Sequence, residues 1–254
     1  MTKIEWTHGL NGRVGRTWNP VAGCTVRSPG CTNCYAMRMA ARINKMTPGS
    51  HYEGLTKIVN GNPVWTGKIA YAPYHIFNAP LGWKKPSLVF VNSMSDLFHD
   101  EVSMEFIGRL FDQMRQTPQH IYQILTKRAD NMRWYFQNRF AGEIPENAWL
   151  GVSVENDEYL DRIDELRQIP AAVRFLSLEP LLGPLENIDL TAIDWVIVGG
   201  ESGPGRRPVD LAWMRSIREQ CKAAGVPLFV KQIDKRIPIP DDLMIRQWPK
   251  GVGQ

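Results

Sequence analysis

Short, near-continuous apolar runs alternate along the chain with segments whose apolar residues recur every three or four positions. The runs predict strands at 4–7, 88–91, 120–126, 149–154, 174–178, 195–198 and 228–231. Leu88-Val89-Phe90-Val91 and Trp195-Val196-Ile197-Val198 are typical of them. Such runs fit strands covered on both faces, as in a parallel sheet, whereas a half-exposed antiparallel sheet alternates more cleanly. Helical periodicity predicts helices over 34–46, 103–116, 130–140, 156–167 and 210–224, with Phe106, Leu110, Phe111 and Met114 sharing one face of the second. Asp210 stands where an N-cap belongs, and Gly225 where a left-handed C-terminal residue belongs.

Strands followed repeatedly by helices imply right-handed βαβ units. The expected fold class is α/β, a partial or irregular (β/α) barrel of about six to seven parallel strands. A flat doubly wound sheet is the competing arrangement. One domain is expected over 1–254. Residues 47–86 are rich in Gly, Pro and aromatics and contain Asn60-Gly61-Asn62. They read as a hairpin-bearing insertion covering one end. Residues 237–254 read as an irregular, proline-containing tail.

Composition narrows the classes. A hydrophobic share of 43% and a charged share of 22% are those of a globular chain, which excludes disorder, collagen and coiled coil. No apolar run approaches the ~20 residues of a membrane span, and the first six residues lack a secretory pattern. A cytoplasmic protein without a membrane partner is expected. Thirty Lys+Arg against 26 Asp+Glu give a net charge of +4, which permits contact with nucleic acid without arguing for it.

Three of the four cysteines change the picture most. Cys24, Cys31 and Cys34 are spaced C-x6-C-x2-C on a Gly- and Pro-containing loop that leads from a strand into a helix. Thiolates suit zinc and iron–sulfur clusters. A tetrahedral structural zinc wants four protein ligands. Cys221 lies far away in a helix as a core-facing residue, and neither His8 nor His51 has a finger-like spacing. Three thiolates with no obvious fourth fit a [4Fe–4S] cluster with one iron open to a small molecule. A structural zinc completed by a histidine and three unrelated core thiols are the other readings. A disulfide is not expected in a cytosolic chain.

Polar groups also gather after the strands, where parallel α/β folds bind ligands. The ends read Asn92-Ser93-Met94-Ser95-Asp96, Thr126-Lys127-Arg128, Ser153-x-Glu155, Ser177-x-Glu179, Gly199-Gly200-Glu201 and Lys231-Gln232. Acids at 96, 155 and 179 with bases at 127, 128 and 231 suit a zwitterionic or multiply polar ligand. Arg206-Arg207 reads as solvated, His99 as a surface residue at a helix start, and Trp6 and Trp18 as shields near the cysteines.

The stretches Asn19-Pro20-x-x-Gly23-Cys24 and Cys31-x-x-Cys34-Tyr35-Ala36-x-Arg38 resemble the cluster loop of the spore-photoproduct-lyase-like branch of the radical SAM enzymes. The first cysteine gap departs from that pattern, with six residues where the usual motif has three. Nearly the whole chain resembles the phage-encoded three-cysteine-motif proteins, a family of unknown function, through 17–36, 92–99, 125–128, 149–153, 177–180 and 199–203. The radical SAM resemblance implies a [4Fe–4S] cluster on Cys24, Cys31 and Cys34. It implies S-adenosylmethionine with Asn92, Ser93 and Asp96 at its methionine part, Ser153 and Glu155 at the ribose, and Tyr35 beside the adenine. Lys127, Arg128, Glu179, Glu201 and Lys231 would then face the substrate. The activity implied is reductive cleavage of S-adenosylmethionine, fed by an external electron donor. A nucleobase or nucleic acid substrate follows from analogy with the branch's DNA lesion enzyme. The alternative is a non-catalytic zinc or iron–sulfur protein that binds nucleic acid or a protein partner.

Overall fold

A computed structural model describes residues 2 and 4–249. Its strands and helices are β1 (Val14–Trp18), β2 (Val21–Ala22), α1 (Tyr35–Met46), β3 (Thr56–Val59), β4 (Asn62–Trp65), β5 (Ala70–Tyr71), α2 (Tyr74–Phe77), β6 (Ser87–Val91), α3 (Met104–Gln116), β7 (Ile121–Thr126), α4 (Ala129–Asn138), β8 (Ala148–Ser153), α5 (Asp161–Arg167), β9 (Arg174–Leu178), β10 (Trp195–Gly199), α6 (Leu211–Ala224) and β11 (Leu228–Gln232). Seven strands pair in parallel in the order β1-β6-β7-β8-β9-β10-β11. The sheet curls into a half-barrel, the partial (β/α) barrel that the alternating pattern predicts.

Side-chain alternation splits the core into two clusters. Val89, Val91, Tyr122, Ile124, Leu150, Val152, Leu176, Val196 and Val198 face outward and pack with Leu110, Phe111, Ile163 and Ile217 of the covering helices. Leu88, Phe90, Ile121, Trp149, Phe175, Trp195, Ile197 and Phe229 face the barrel interior, which Trp6 plugs from below. The Trp6 ring lies 4.8 Å from that of Phe90 and 6.2 Å from that of Trp195. Gly151 makes this filling possible, because a Cβ there would stand 2.5 Å from the Phe175 ring.

The predicted helix ends hold. Asp210 Oδ1 accepts the Ala212 N–H at 2.8 Å, and Gly225 takes φ 68°. Asn60 and Gly61 turn the β3–β4 hairpin with φ 47° and 75°, the paired positive values of a type I′ turn. Two expectations change. Residues 4–7 are not a strand; Glu5–Thr7 is a 3-10 turn whose tryptophan serves as the floor plug. The true edge strand is β1, whose Gly15-Arg16-Thr17 carries no apolar run. Trp6 therefore sits at the far end from the cysteines and does not shield them. The helix expected over 156–167 is broken into a 3-10 turn, Asp157–Tyr159, and α5. Beyond 237 the described chain forms the 3-10 turn Asp241–Leu243 and then pairs Arg246 antiparallel with Phe229 on the edge of β11, so the tail is not wholly irregular; 250–254 lie outside the described residues. Among the described residues no helix is long and apolar enough to cross a membrane.

Candidate functional site

The segment between β2 and α1 carries all three clustered cysteines and lies across the carboxyl ends of the strands. Five contacts fix it there. The Gly23 N–H donates to Met94 O at 3.1 Å, and Ser28 Oγ donates to Glu155 Oε1 at 2.6 Å. Asn33 Nδ2 donates to Glu201 Oε2 at 2.9 Å, and Arg207 Nη2 donates to Pro29 O at 2.9 Å. The Tyr35 hydroxyl donates to Ser93 O at 2.8 Å. Gly30 lets the loop settle so close, since a Cβ there would stand 2.5 Å from Glu155 Oε1.

The acids and bases expected at this end do meet, largely in pairs with one another. Glu155, fully buried at 0% exposure, accepts from Lys127 Nζ through Oε1 and from Arg162 Nη1 at 3.0 Å through Oε2. Burial alone would raise its pKa; the Lys127 ammonium, the Ser28 hydroxyl and Arg162 outweigh that and hold it below the usual carboxylate range. Glu179 accepts from Lys231 Nζ at 2.6 Å and from Gln232 Nε2 at 3.1 Å. Glu201 accepts from Arg207 Nη2 at 2.6 Å and from the Arg207 N–H at 2.8 Å. Burial is again outweighed, here by Arg207 and Asn33, so the Glu201 carboxyl is also held low.

Asp96 is an internal tie. Its Oδ1 accepts from Thr126 Oγ1 at 2.6 Å and the Phe98 N–H at 3.1 Å; its Oδ2 accepts from the Lys127 N–H and Arg128 Nη1, each at 3.1 Å. Four donors leave that carboxylate no open face, so here it joins the ends of β6 and β7. Arg128, expected to face a substrate, lies behind Cys24 at 1% exposure. Glu201, expected there too, clamps the cysteine loop through Asn33. Asn92 adopts φ 58° and is buried with Nδ2 unpartnered, while its Oδ1 accepts the Val21 N–H at 3.4 Å. Buried Ser153 gives its carbonyl to Arg162 Nη1 at 2.7 Å, and Ser93 Oγ donates to Asn19 Oδ1 at 3.0 Å. Lys231 and Glu179 keep 15% and 17% of their side chains exposed, so the carboxylate as well as the base of this pair is accessible.

Two of the clustered sulfurs meet a hydrogen-bond donor. Arg128 Nη1 stands 3.8 Å from Cys24 Sγ, and the Arg27 N–H stands 3.5 Å from Cys31 Sγ. Cys34 stands at the N-cap of α1 without a side-chain capping hydrogen bond, its sulfur near the backbone N–H groups of Ala36 and Met37. Burial, with Asp96 adding to it, nevertheless pushes the Cys24 thiol up to about 12, and burial also pushes Cys34 up. A metal must therefore displace protons to bind here. Among the described residues, no three His, Cys, Asp or Glu side chains form a group able to hold a single metal ion. The donor set still fits a thiolate-held cluster: three cysteines on one loop, with a guanidinium beside one of them. Arg128 Nε, buried and without a hydrogen-bond partner, belongs to a cation short of one acceptor.

Several participants escaped the sequence reading. His99 is 3% exposed, not a surface residue; its Nδ1 accepts the Glu101 N–H at 3.2 Å, so Nε2 carries the proton towards Thr25 Oγ1 at 3.1 Å. Burial, then the neighbouring Arg128, keeps its pKa low. Thr25 Oγ1 also accepts from Arg128 Nη2. Arg162 had a signal, since it follows Glu155 by seven residues and interrupts the inward face of a short helix. Arg207 looked solvated only because its partner sits six residues earlier in a glycine-rich loop.

A family model described as "Protein of unknown function (DUF5131)" matches residues 1–244. The chain belongs to the DUF5131 family. No curated protein and no solved structure matches it. The matched span of this DUF5131 chain contains the cysteine loop and all seven barrel strands. A cleft of about 650 Å³, lined by Val173, Leu190, Asp194 and Val226, opens at the other end of the sheet, where β9, β10 and β11 begin. It shares no residue with the cysteine site.

Proposed function

We propose that the chain is a radical-SAM-like iron–sulfur enzyme, with Cys24, Cys31 and Cys34 holding a [4Fe–4S] cluster whose remaining iron is left for S-adenosylmethionine. One observation carries this reading: three cysteines ride on one loop laid over the mouth of a parallel half-barrel, with the Arg128 guanidinium beside one sulfur and the Arg27 N–H beside another. When bound, the cluster and S-adenosylmethionine supply one-electron cleavage of the sulfonium and a 5′-deoxyadenosyl radical for hydrogen abstraction. The chain's own residues supply position. Glu155, Glu201 and Ser93 moor the loop through Ser28, Asn33 and Tyr35. The partly open Glu179–Lys231 pair meets the substrate, and the buried pairs around it exclude water.

A nucleobase or nucleic acid substrate is supported by resemblance to the DNA lesion branch and to phage-encoded proteins, and a net charge of +4 is compatible with it. An external electron donor and a cytoplasmic setting complete the proposal. The zinc reading has less support. Tetrahedral zinc, with Zn–S near 2.3 Å, would gather its sulfurs to about 3.8 Å from one another. It would also draw a fourth ligand, and His99 spends both nitrogens on Thr25 and Glu101.

Anaerobic reconstitution tests the proposal. About four irons and four sulfides per chain are expected, with 5′-deoxyadenosine formed from S-adenosylmethionine and dithionite. Cys24→Ala, Cys31→Ala and Cys34→Ala each lose the iron, and Cys221→Ala keeps it. Colourless protein carrying one zinc would overturn the cluster. A full iron complement with no 5′-deoxyadenosine would overturn the enzymatic half.

A further inference from the structure

We infer that Arg128 is a positioning residue whose buried guanidinium holds the Cys24 sulfur and supplies the positive charge beside it, raising the reduction potential of the metal centre. The inference rests on the cluster reading above and adds a role that the cysteine pattern does not contain.

Arg128 stands just past β7, at the N-cap of α4, and parts there from its neighbour. Lys127 turns to Glu155, while Arg128, one residue on, turns to the cysteine loop. Its backbone N–H donates to Thr126 Oγ1 at 2.9 Å, and that hydroxyl in turn donates to Asp96. The guanidinium is then held on two sides, by Asp96 Oδ2 at 3.1 Å and by Thr25 Oγ1. His99 fixes Thr25 from the far side. The Nη1 that meets Asp96 also stands 3.8 Å from Cys24 Sγ.

A cation at 1% exposure is costly unless its donors are met. Here they are met incompletely. Nε has no hydrogen-bond partner, and its nearest recorded carboxylate oxygen, Asp100 Oδ2, is 3.9 Å off on a largely exposed side chain. Asp96 divides its charge among four donors. A thiolate on Cys24 would set a second negative group beside Nη1 and so complete the neutralisation of this buried cation. Hydrogen bonds and positive charge at cluster sulfurs favour the reduced state, so the cation makes the centre easier to reduce.

The experiment compares reconstituted wild type with Arg128→Met and Arg128→Lys, reading iron content and the reduction potential by a spectroscopic redox titration. Arg128→Met should keep its iron and shift to a more negative potential, with Arg128→Lys lying between it and wild type. Wild-type potential in iron-replete Arg128→Met would overturn this inference and leave the cluster standing. Failure of the wild type itself to take up iron would overturn the cluster reading and this inference together. Should Arg128→Met not fold, Thr25→Val removes the Nη2 acceptor. It should shift the potential in the same direction by less, and an unchanged potential there would equally overturn the role.

Discussion

The two ends of the half-barrel are built from the same strands and solve opposite problems. At the floor, Phe90, Phe175 and Trp195 meet Trp6, and Trp149 and Phe229 pack on Trp195. At the mouth stand Lys127, Glu155, Glu179 and Lys231, beyond or at the ends of β7, β8, β9 and β11, and charge replaces area as the organising force. The floor is stabilised by burial, which is non-directional and tolerant of small shifts. The mouth is stabilised by directional pairs that fix where each group points. Cysteine shows the same division. Cys221 is a packed core residue with its thiol pushed up to about 12 by burial alone, whereas Cys24 and Cys31 at the mouth each meet a donor.

Breaking the floor should have the largest effect on stability. Trp6→Ala removes a tryptophan that is 2% exposed among three aromatic neighbours, and should cost about 3–5 kcal/mol in denaturant unfolding. Iron uptake per folded chain should be unchanged; a loss of iron without a loss of stability would erase the contrast between the two ends.

Glu155→Gln strikes the mouth at its most buried charge. It should cost about 1.5–3 kcal/mol, the range for hydrogen bonds to charged groups. The sign with pH follows from the lowered pKa of Glu155. Its stabilisation is present above the unfolded carboxylate value of about 4.3 and is lost as pH falls through the still lower folded value. The stability gap between wild type and Glu155→Gln should therefore close on acidification, and a gap constant with pH would show that the charge is not what holds the loop. The smallest stability effect belongs to Lys231→Met, which breaks a partly exposed pair and should cost about 0.5–1 kcal/mol. Its turnover should fall far more than its melting temperature, and a variant with wild-type turnover would remove Lys231 from the substrate-facing wall.

Most of the barrel was legible because the strands from β6 to β11 are buried on both faces, which writes an apolar run into each of the six. The first strand was not, since β1 is only half-buried along Val14, Arg16 and Thr17, and the apolar pair nearby belongs to the floor plug. The polar strand ends were legible as a set, and so was the cysteine loop. Their pairing was not. Whether Glu155 meets a ligand or Ser28, Lys127 and Arg162 depends on a loop 127 residues earlier in the chain, and on Gly30 allowing its approach. His99 was misplaced for the same reason: its partner Thr25 is distant in sequence, and the local Phe98-His99-Asp100 context reads as surface.

The mooring of Asn33 to Glu201 and of Pro29 to Arg207 spans 168 and 178 positions. In synthesis the thiols therefore precede by well over a hundred residues the partners that seat them. A product cut short before Glu201 would present its sulfurs on a loop without these two ties.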